Sequence, residues 1–224
     1  MKRLSSDPVE LQKIYQARFD DRAAYRNNLW KILTSVYFSR YISAQDAVLD
    51  LGCGYGQFIN NIRCGKKYAM DLNPRSRSLL NADVRFLEQD CSETWDIPGN
   101  SLDVVFTSNF FEHLPTKEAL SQTMEEAYRC LRPSGKLIAM GPNIKYLTGT
   151  YWDFFDHYTP LTELSLKELL EMRNFGVSHA IGRFLPYTMV NAPPYPDWVI
   201  SLYLRLTFIW PFFGKQFLLI ATKP

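Results

Sequence analysis

The stretch AVLDLGCGYGQFI, residues 47–59, constrains the fold more than any other part of this chain. An apolar run ends in Asp50 and Leu51 and then breaks into Gly52, Gly54 and Gly56, before an apolar pattern resumes at Phe58 and Ile59. Three glycines this close give the backbone conformations that a Cβ disfavours. They also let a ligand approach the main chain at a helix N-terminus, where unpaired amides point outward. The segment therefore reads as strand, tight turn and helix, with a nucleotide-type cofactor site at the turn.

The rest of the chain repeats that unit. Residues 8–41 read as helical. Strands are expected at Ala47–Leu51, Lys67–Asp71, Val84–Glu88, Leu102–Thr107 and Lys136–Met140. Helices are expected at Gln57–Cys64, Arg75–Leu80, Lys117–Leu131 and Leu166–Asn174. In the third of these, Leu120, Met124, Ala127 and Leu131 share a face, and RPSG stops the helix. In the fourth, Ser165 and Glu168 read as a capping box, Leu164 and Leu169 as its staple, and Gly176 as the residue past the end. Alternating strands and helices with nearly continuous apolar strands imply a doubly wound parallel sheet with helices on both faces. GVSHAIGRFLP and KQFLLIATKP read as two more strands, the last one antiparallel if it returns from the aromatic insert at 187–213. Residues 1–45 read as a helical cap on a single domain spanning 46–224.

Composition excludes several classes. The net charge of +2 comes from scattered residues and argues against nucleic acid. MKRLSSDPVELQKIY has no apolar core of a secretory signal. Cys53, Cys64, Cys91 and Cys130 form no C-x-x-C pair, which suits reduced thiols in a cytoplasmic protein.

The identity of the cofactor turns on two positions. A dinucleotide site asks for G-x-G-x-x-G, and here Gln57 stands in the third glycine's place. Asp50 precedes the turn, where a carboxylate favours an ammonium and not a pyrophosphate. Those residues favour S-adenosylmethionine. The segments VLDLGCGYG, MDLNP, LEQDCSE, SLDVVFTSNFFEHLP and EAYRCLRPSGKLIAMGPN then follow in the order seen in class I S-adenosylmethionine-dependent methyltransferases. Residues 47–143 resemble their small-molecule, type 11-like branch. The resemblance implies a Rossmann-like seven-stranded sheet, mostly parallel, with an antiparallel last strand. It implies Gly52, Gly54 and Gly56 beneath the methionine portion of the cofactor and Asp50 near its amino group. Asp71, followed by Leu72, would take the ribose hydroxyls; Asp90 would take the adenine amino group, with Cys91 beside the ring. Asn109 and Phe110 would line the place where the methyl meets its acceptor.

For the acceptor side, GTYWDFFDHYTP at 149–160 sets Asp153, Asp156 and His157 among five aromatic residues. His157 held by Asp156 is a candidate base for a sugar or phenol hydroxyl, with hydrogen bonding to the loop backbone as an equal alternative. His113 in FFEHLP is a further candidate, packing against the cofactor being its ordinary role, and His179 reads as structural. No metal is expected: the Glu-His pair has no convincing third ligand, and Asp153, Asp156 and His157 have no fourth. NAPPYP at 191–196 differs from the N-P-P-Y motif of DNA amino-methyltransferases in both sequence and place. The 197–213 segment is too short and interrupted to span a bilayer. It reads as a core or homodimer helix, or as a peripheral membrane contact. Residues 141–222 are loosely similar to methyltransferases found among bacterial cell-surface polysaccharide genes. O-methylation of a small molecule or glycan is the expectation. N-methylation, a non-catalytic cofactor-binding sensor or partner subunit, and an NAD-dependent enzyme stand as alternatives.

Overall fold

The computed structural model describes residues 23–187 and 194–224. The front of the expected N-terminal helix and the first half of NAPPYP lie outside the described residues. The strands are β1 (Ala47–Leu51), β2 (Lys66–Met70), β3 (Val84–Leu87), β4 (Leu102–Ser108), β5 (Leu131–Pro142), β6 (Gly176–Ile181) and β7 (Gln216–Thr222). They form one sheet in the order β3-β2-β1-β4-β5-β7-β6. All pairs are parallel except those made by β7, which runs antiparallel to both β5 and β6. This is the Rossmann-like architecture that the strand–helix alternation implies.

The helices are α1 (Ala23–Ile32), α2 (Gln57–Asn61), α3 (Lys117–Cys130), α4 (Ile144–Leu147), α5 (Glu163–Met172), α6 (Asp197–Arg205) and α7 (Trp210–Phe213). Alternate strand residues feed two cores, one on each face of the sheet. Leu49, Leu51, Leu102 and Val105 meet Leu120 and Met124 of α3 and Leu166 and Leu170 of α5 on one side. Val48, Val104 and Phe106 meet residues of α1, α2 and α6 on the other. There the Phe58 ring stacks on Phe106 with centroids 3.6 Å apart, and Trp30 and Phe38 close over both. The first residues after the glycine turn are thereby anchored to the central strand.

Several local readings are corrected. Pro74–Leu79 is a 3-10 segment and not an α-helix, started by the Asn73 side chain accepting from the Arg75 amide. RPSG does not merely stop α3. The chain pairs with β4 from Leu131 onward, and Arg132–Gly135 bulges out of that ladder with Ser134 at φ 65°. The capping box of α5 is one turn earlier than expected. Thr162 accepts from the Ser165 amide, and Ser165 Oγ accepts in return from the Thr162 amide. Ser165 is thus the third helical residue, where its short side chain reaches back, and Leu164 points to solvent. At the other end Asn174 takes the left-handed conformation at φ 65°, so Gly176 is free to open β6. His179 lies on that edge strand, exposed, with Nδ1 at 3.0 Å from Ser178 Oγ.

The aromatic insert is neither wholly buried nor wholly free. Ile200, Leu204 and Trp210 are buried, while Trp198, Leu202, Phe208, Phe212 and Phe213 are exposed. Among the described residues no helix is long and apolar enough to cross a membrane.

The corrected cap makes a discriminating prediction. Thr162→Ala should lower the unfolding free energy by about 1 kcal/mol, whereas Glu168→Ala should be close to neutral. Urea denaturation of the two variants checks this.

Candidate functional site

The site is built where β1, β2 and β4 end. Gly52, Gly54 and Gly56 all lie in the left-handed region, at φ 69°, 53° and 68°. Space demands glycine here as well. A Cβ on Gly52 would stand 2.2 Å from Phe110 Cγ, and one on Gly56 would stand 2.4 Å from Leu80 Cδ2. The Phe110 ring, delivered from the end of β4, therefore lies directly on the first glycine.

Two buried carboxyls flank the turn. Asp71 Oδ2 accepts from the Gly54 amide at 2.8 Å, and Oδ1 accepts from the Asn73 amide at 2.9 Å. The Leu72 backbone adds a further hydrogen bond. Burial pushes the Asp71 pKa up, and these amides and the nearby His113 oppose that shift. Asp50 is the less well hydrogen-bonded of the two. Its Oδ2 is buried with no hydrogen-bond partner, and burial pushes its pKa up to about 8 against one backbone bond from Ile59. An unpartnered carboxylate oxygen beside a glycine turn suits a cationic group of a ligand.

Farther along the edge, Asp90 Oδ1 accepts from the amide and hydroxyl of Ser92. Cys91 is buried against the Thr123 hydroxyl at 3.3 Å, and burial pushes its thiol up to about 12. Burial likewise raises the Cys53 thiol well above its ordinary value. Neither thiol is favoured as a thiolate in these surroundings. Asn109, at φ 50°, is exposed, donates its side-chain amide to Ser108 Oγ, and has its own backbone amide on Met140.

On the acceptor side Asp156 meets His113: its Oδ2 lies 3.2 Å, and its carbonyl 3.0 Å, from His113 Nδ1. The two meet because the 149–160 loop is sewn to the turn after β4. The Tyr158 and Thr159 amides donate to the Glu112 carbonyl, the Thr159 hydroxyl donates to the Leu114 carbonyl, and the buried Tyr151 hydroxyl donates to the Thr159 carbonyl. That stitching aims His157 at the turn. Its ring lies 5.0 Å from that of His113 and is stacked by Phe154 at 4.9 Å.

Glu112 completes the group and was not singled out from sequence. It is buried, burial raises its pKa to about 7, and His113 opposes the rise. His113 is raised in turn by Asp156 and Glu112, which overcome its own desolvation. The signal for Glu112 was present only as the Glu-His pair in FFEHLP; nothing in the chain order shows that both would meet His157. Asp153 ends a 3-10 segment on the exposed side of the loop, away from this group. Trp152 and Phe155 are exposed beside it.

Residues 49–139 match the model of a methyltransferase domain. A malonyl-[acyl-carrier protein] O-methyltransferase of Paenibacillus sp. is 31% identical over 121 residues, covering 47% of this chain and 42% of that protein. A protein of Mycolicibacterium smegmatis named "Probable S-adenosylmethionine-dependent methyltransferase" is 28% identical over 143 residues, covering 61% and 54%. The chain thus spans about half the length of these relatives. In three dimensions it is similar to a SAM dependent methyltransferase from Archaeoglobus fulgidus, with TM-score 0.65 and 21% identity over 90% of this chain and 97% of that one. The fold, the glycine turn and the matched segment 49–139 are together similar to those of S-adenosylmethionine-dependent methyltransferases.

Proposed function

We propose that this protein transfers a methyl group from S-adenosylmethionine to a hydroxyl of a small molecule or glycan. The observation that carries the reading is the group of Glu112, His113, Asp156 and His157. It lies near enough to Asp71, bonded to the glycine turn, for His113 to act on the Asp71 carboxyl, and it is flanked by the Tyr151 and Phe154 rings. An amine or thiolate acceptor is nucleophilic without help, whereas a hydroxyl gains from groups that draw off its proton as the new bond forms.

The residues fit the cofactor. Asp50, with its unpartnered Oδ2, would hold the ammonium group; Gly52, Gly54 and Gly56 would admit the methionine portion to the main chain. Asp71 and Leu72 would hold the ribose, Asp90 and Cys91 the adenine, and Asn109 and Phe110 the neighbourhood of the methyl. When bound, the cofactor supplies an electrophilic methyl on a sulfonium. The chain's own work is alignment: in-line displacement needs acceptor and methyl held together, and well-oriented groups are worth roughly 7–11 kcal/mol of barrier. His113, fixed by Asp156, and His157, fixed by Phe154 and the loop stitching, would receive the acceptor hydroxyl and its proton.

The deciding experiment is incubation with methyl-labelled S-adenosylmethionine and fractionated bacterial lysate, with Asp71→Ala as the control. Label in a glycan or organic-soluble fraction supports the glycan reading, and label only in water-soluble small molecules removes it. Cofactor binding without any transfer above the control would favour a binding protein.

Once an acceptor is in hand, His157→Ala should lower kcat by about 10²–10⁴-fold while leaving the affinity for S-adenosylhomocysteine unchanged. Equal loss of both would assign His157 to loop structure. Asp50 gives a prediction of opposite signs. Its folded pKa of about 8 lies above the unfolded value of 3.8. The neutral carboxyl therefore favours the folded state below that unfolded value, and this advantage is lost as pH rises through about 8. Asp50→Asn should raise the melting temperature of the cofactor-free protein relative to the parent at pH 8 and change it little near pH 4. The same variant should weaken S-adenosylhomocysteine binding by about 10²-fold, the cost of leaving a buried ammonium without its partner. Thermal melts at the two pH values and calorimetric titration read the two effects separately.

A further inference from the structure

The group at the acceptor side has the make-up of a metal site. One ligand atom each from Glu112, His113 and His157 can be chosen so that all lie within 4.8 Å of one another. Glu112 and His157 are buried, and His113 is half-buried. Three features of the geometry go beyond proximity.

The tautomer of His113 is fixed by its surroundings. Nδ1 faces two oxygens of Asp156, the carbonyl at 3.0 Å and Oδ2 at 3.2 Å, and both only accept. Nδ1 therefore carries hydrogen, and Nε2, on the Glu112 side of the ring, keeps its lone pair. A carboxylate or carbonyl on the far nitrogen is the arrangement that orients metal-bound imidazoles and raises their basicity.

The separation of Nε2 from Glu112 Oε1 also suits an ion. At 4.0 Å it is too long for a hydrogen bond. Bonds of about 2.0–2.1 Å to a tetrahedral ion place ligand atoms about 3.3 Å apart, which side-chain rotation alone could reach.

The third ligand arrives on a braced support. The main chain of residues 158 and 159 is bonded to the Glu112 carbonyl itself, so the loop that carries His157 is tied to the backbone of another ligand. Two elements far apart in sequence are thus held in one register around the three side chains.

We propose that Glu112, His113 and His157 bind one divalent first-row transition-metal ion. Two imidazoles and one carboxylate favour zinc, cobalt, manganese or iron over magnesium or calcium, which take all-oxygen sets. Three protein ligands leave a coordination position open. Asp156 is a positioning residue, acting through the His113 ring. The binding itself does not depend on the methyl-transfer reading. What rests on that reading is the purpose of the open position, which would receive the acceptor's oxygen; with the ion in place the imidazoles are ligands, and the ion instead of their nitrogens would make that hydroxyl easier to deprotonate.

The test uses the full chain, stripped with a chelator and titrated with cobalt(II) and then zinc(II). One equivalent of cobalt(II) should bind and give ligand-field absorption without thiolate-to-metal charge transfer, because none of the ligands is sulfur. Zinc(II) should displace it. Glu112→Gln and His157→Ala should each weaken binding by at least about 10²-fold, and Asp156→Asn by about 10–100-fold. Circular dichroism and retained S-adenosylhomocysteine binding verify that each variant is folded. Binding that survives both ligand variants, thiolate bands in the cobalt spectrum, or no binding above that of the Glu112→Gln, His157→Ala double variant would overturn the proposal. Metal binding without any methyl transfer would leave the site standing and remove the reading of its purpose.

Discussion

Asp71 and the glycine turn depend on each other, and most of the cofactor end of this molecule depends on both. A carboxyl buried between strand ends is costly unless it is hydrogen-bonded. Here its two oxygens accept from the Gly54 and Asn73 amides, joining the turn after β1 to the turn after β2. The turn can offer that amide only because Gly52, Gly54 and Gly56 take left-handed conformations. Phe110, lying on Gly52, extends the same constraint to the end of β4. Three successive strand ends are thereby locked into one surface.

Asp50 works in the opposite sense. It sits on the fully buried β1, with one oxygen lacking any hydrogen bond, so the desolvation of its carboxyl is only partly offset. Residues that lower stability in the empty state are a common mark of binding sites. The two aspartates thus differ: Asp71 holds the turn together, and Asp50 keeps one oxygen without a hydrogen bond.

The second constraint is the seam between the β4 turn and the 149–160 loop. Its hydrogen bonds use the carbonyls of Glu112 and Leu114, so the loop is tied directly to the backbone of the turn. That seam brings Asp156 to His113. It also gathers Glu112, His113 and His157 into one group at the turn after β4.

The sequence by itself determined the order of strands and helices, the glycine turn and the antiparallel last strand. Each is written in local terms: apolar runs of strand length, glycines where φ must be positive, and an insert that returns the chain to the sheet. It also placed Asp50 and Asp71 at strand ends, because a residue's position along a strand fixes which end of a parallel sheet it occupies. Local signals were weaker at element ends. Thr162 and Ser165 cap α5 where Ser165 and Glu168 had looked suitable, and Asn174, not Gly176, takes the left-handed turn. Only the tertiary structure decided that Asp156 serves His113, that Glu112 is buried beside them, and that Trp198 and Phe212 of the insert stay exposed while Trp210 is covered. Those outcomes depend on hydrogen bonds and packing between segments some 40 residues or more apart. Residue spacing along a chain carries no record of such contacts, since they form only once the sheet has set the distances between its loops.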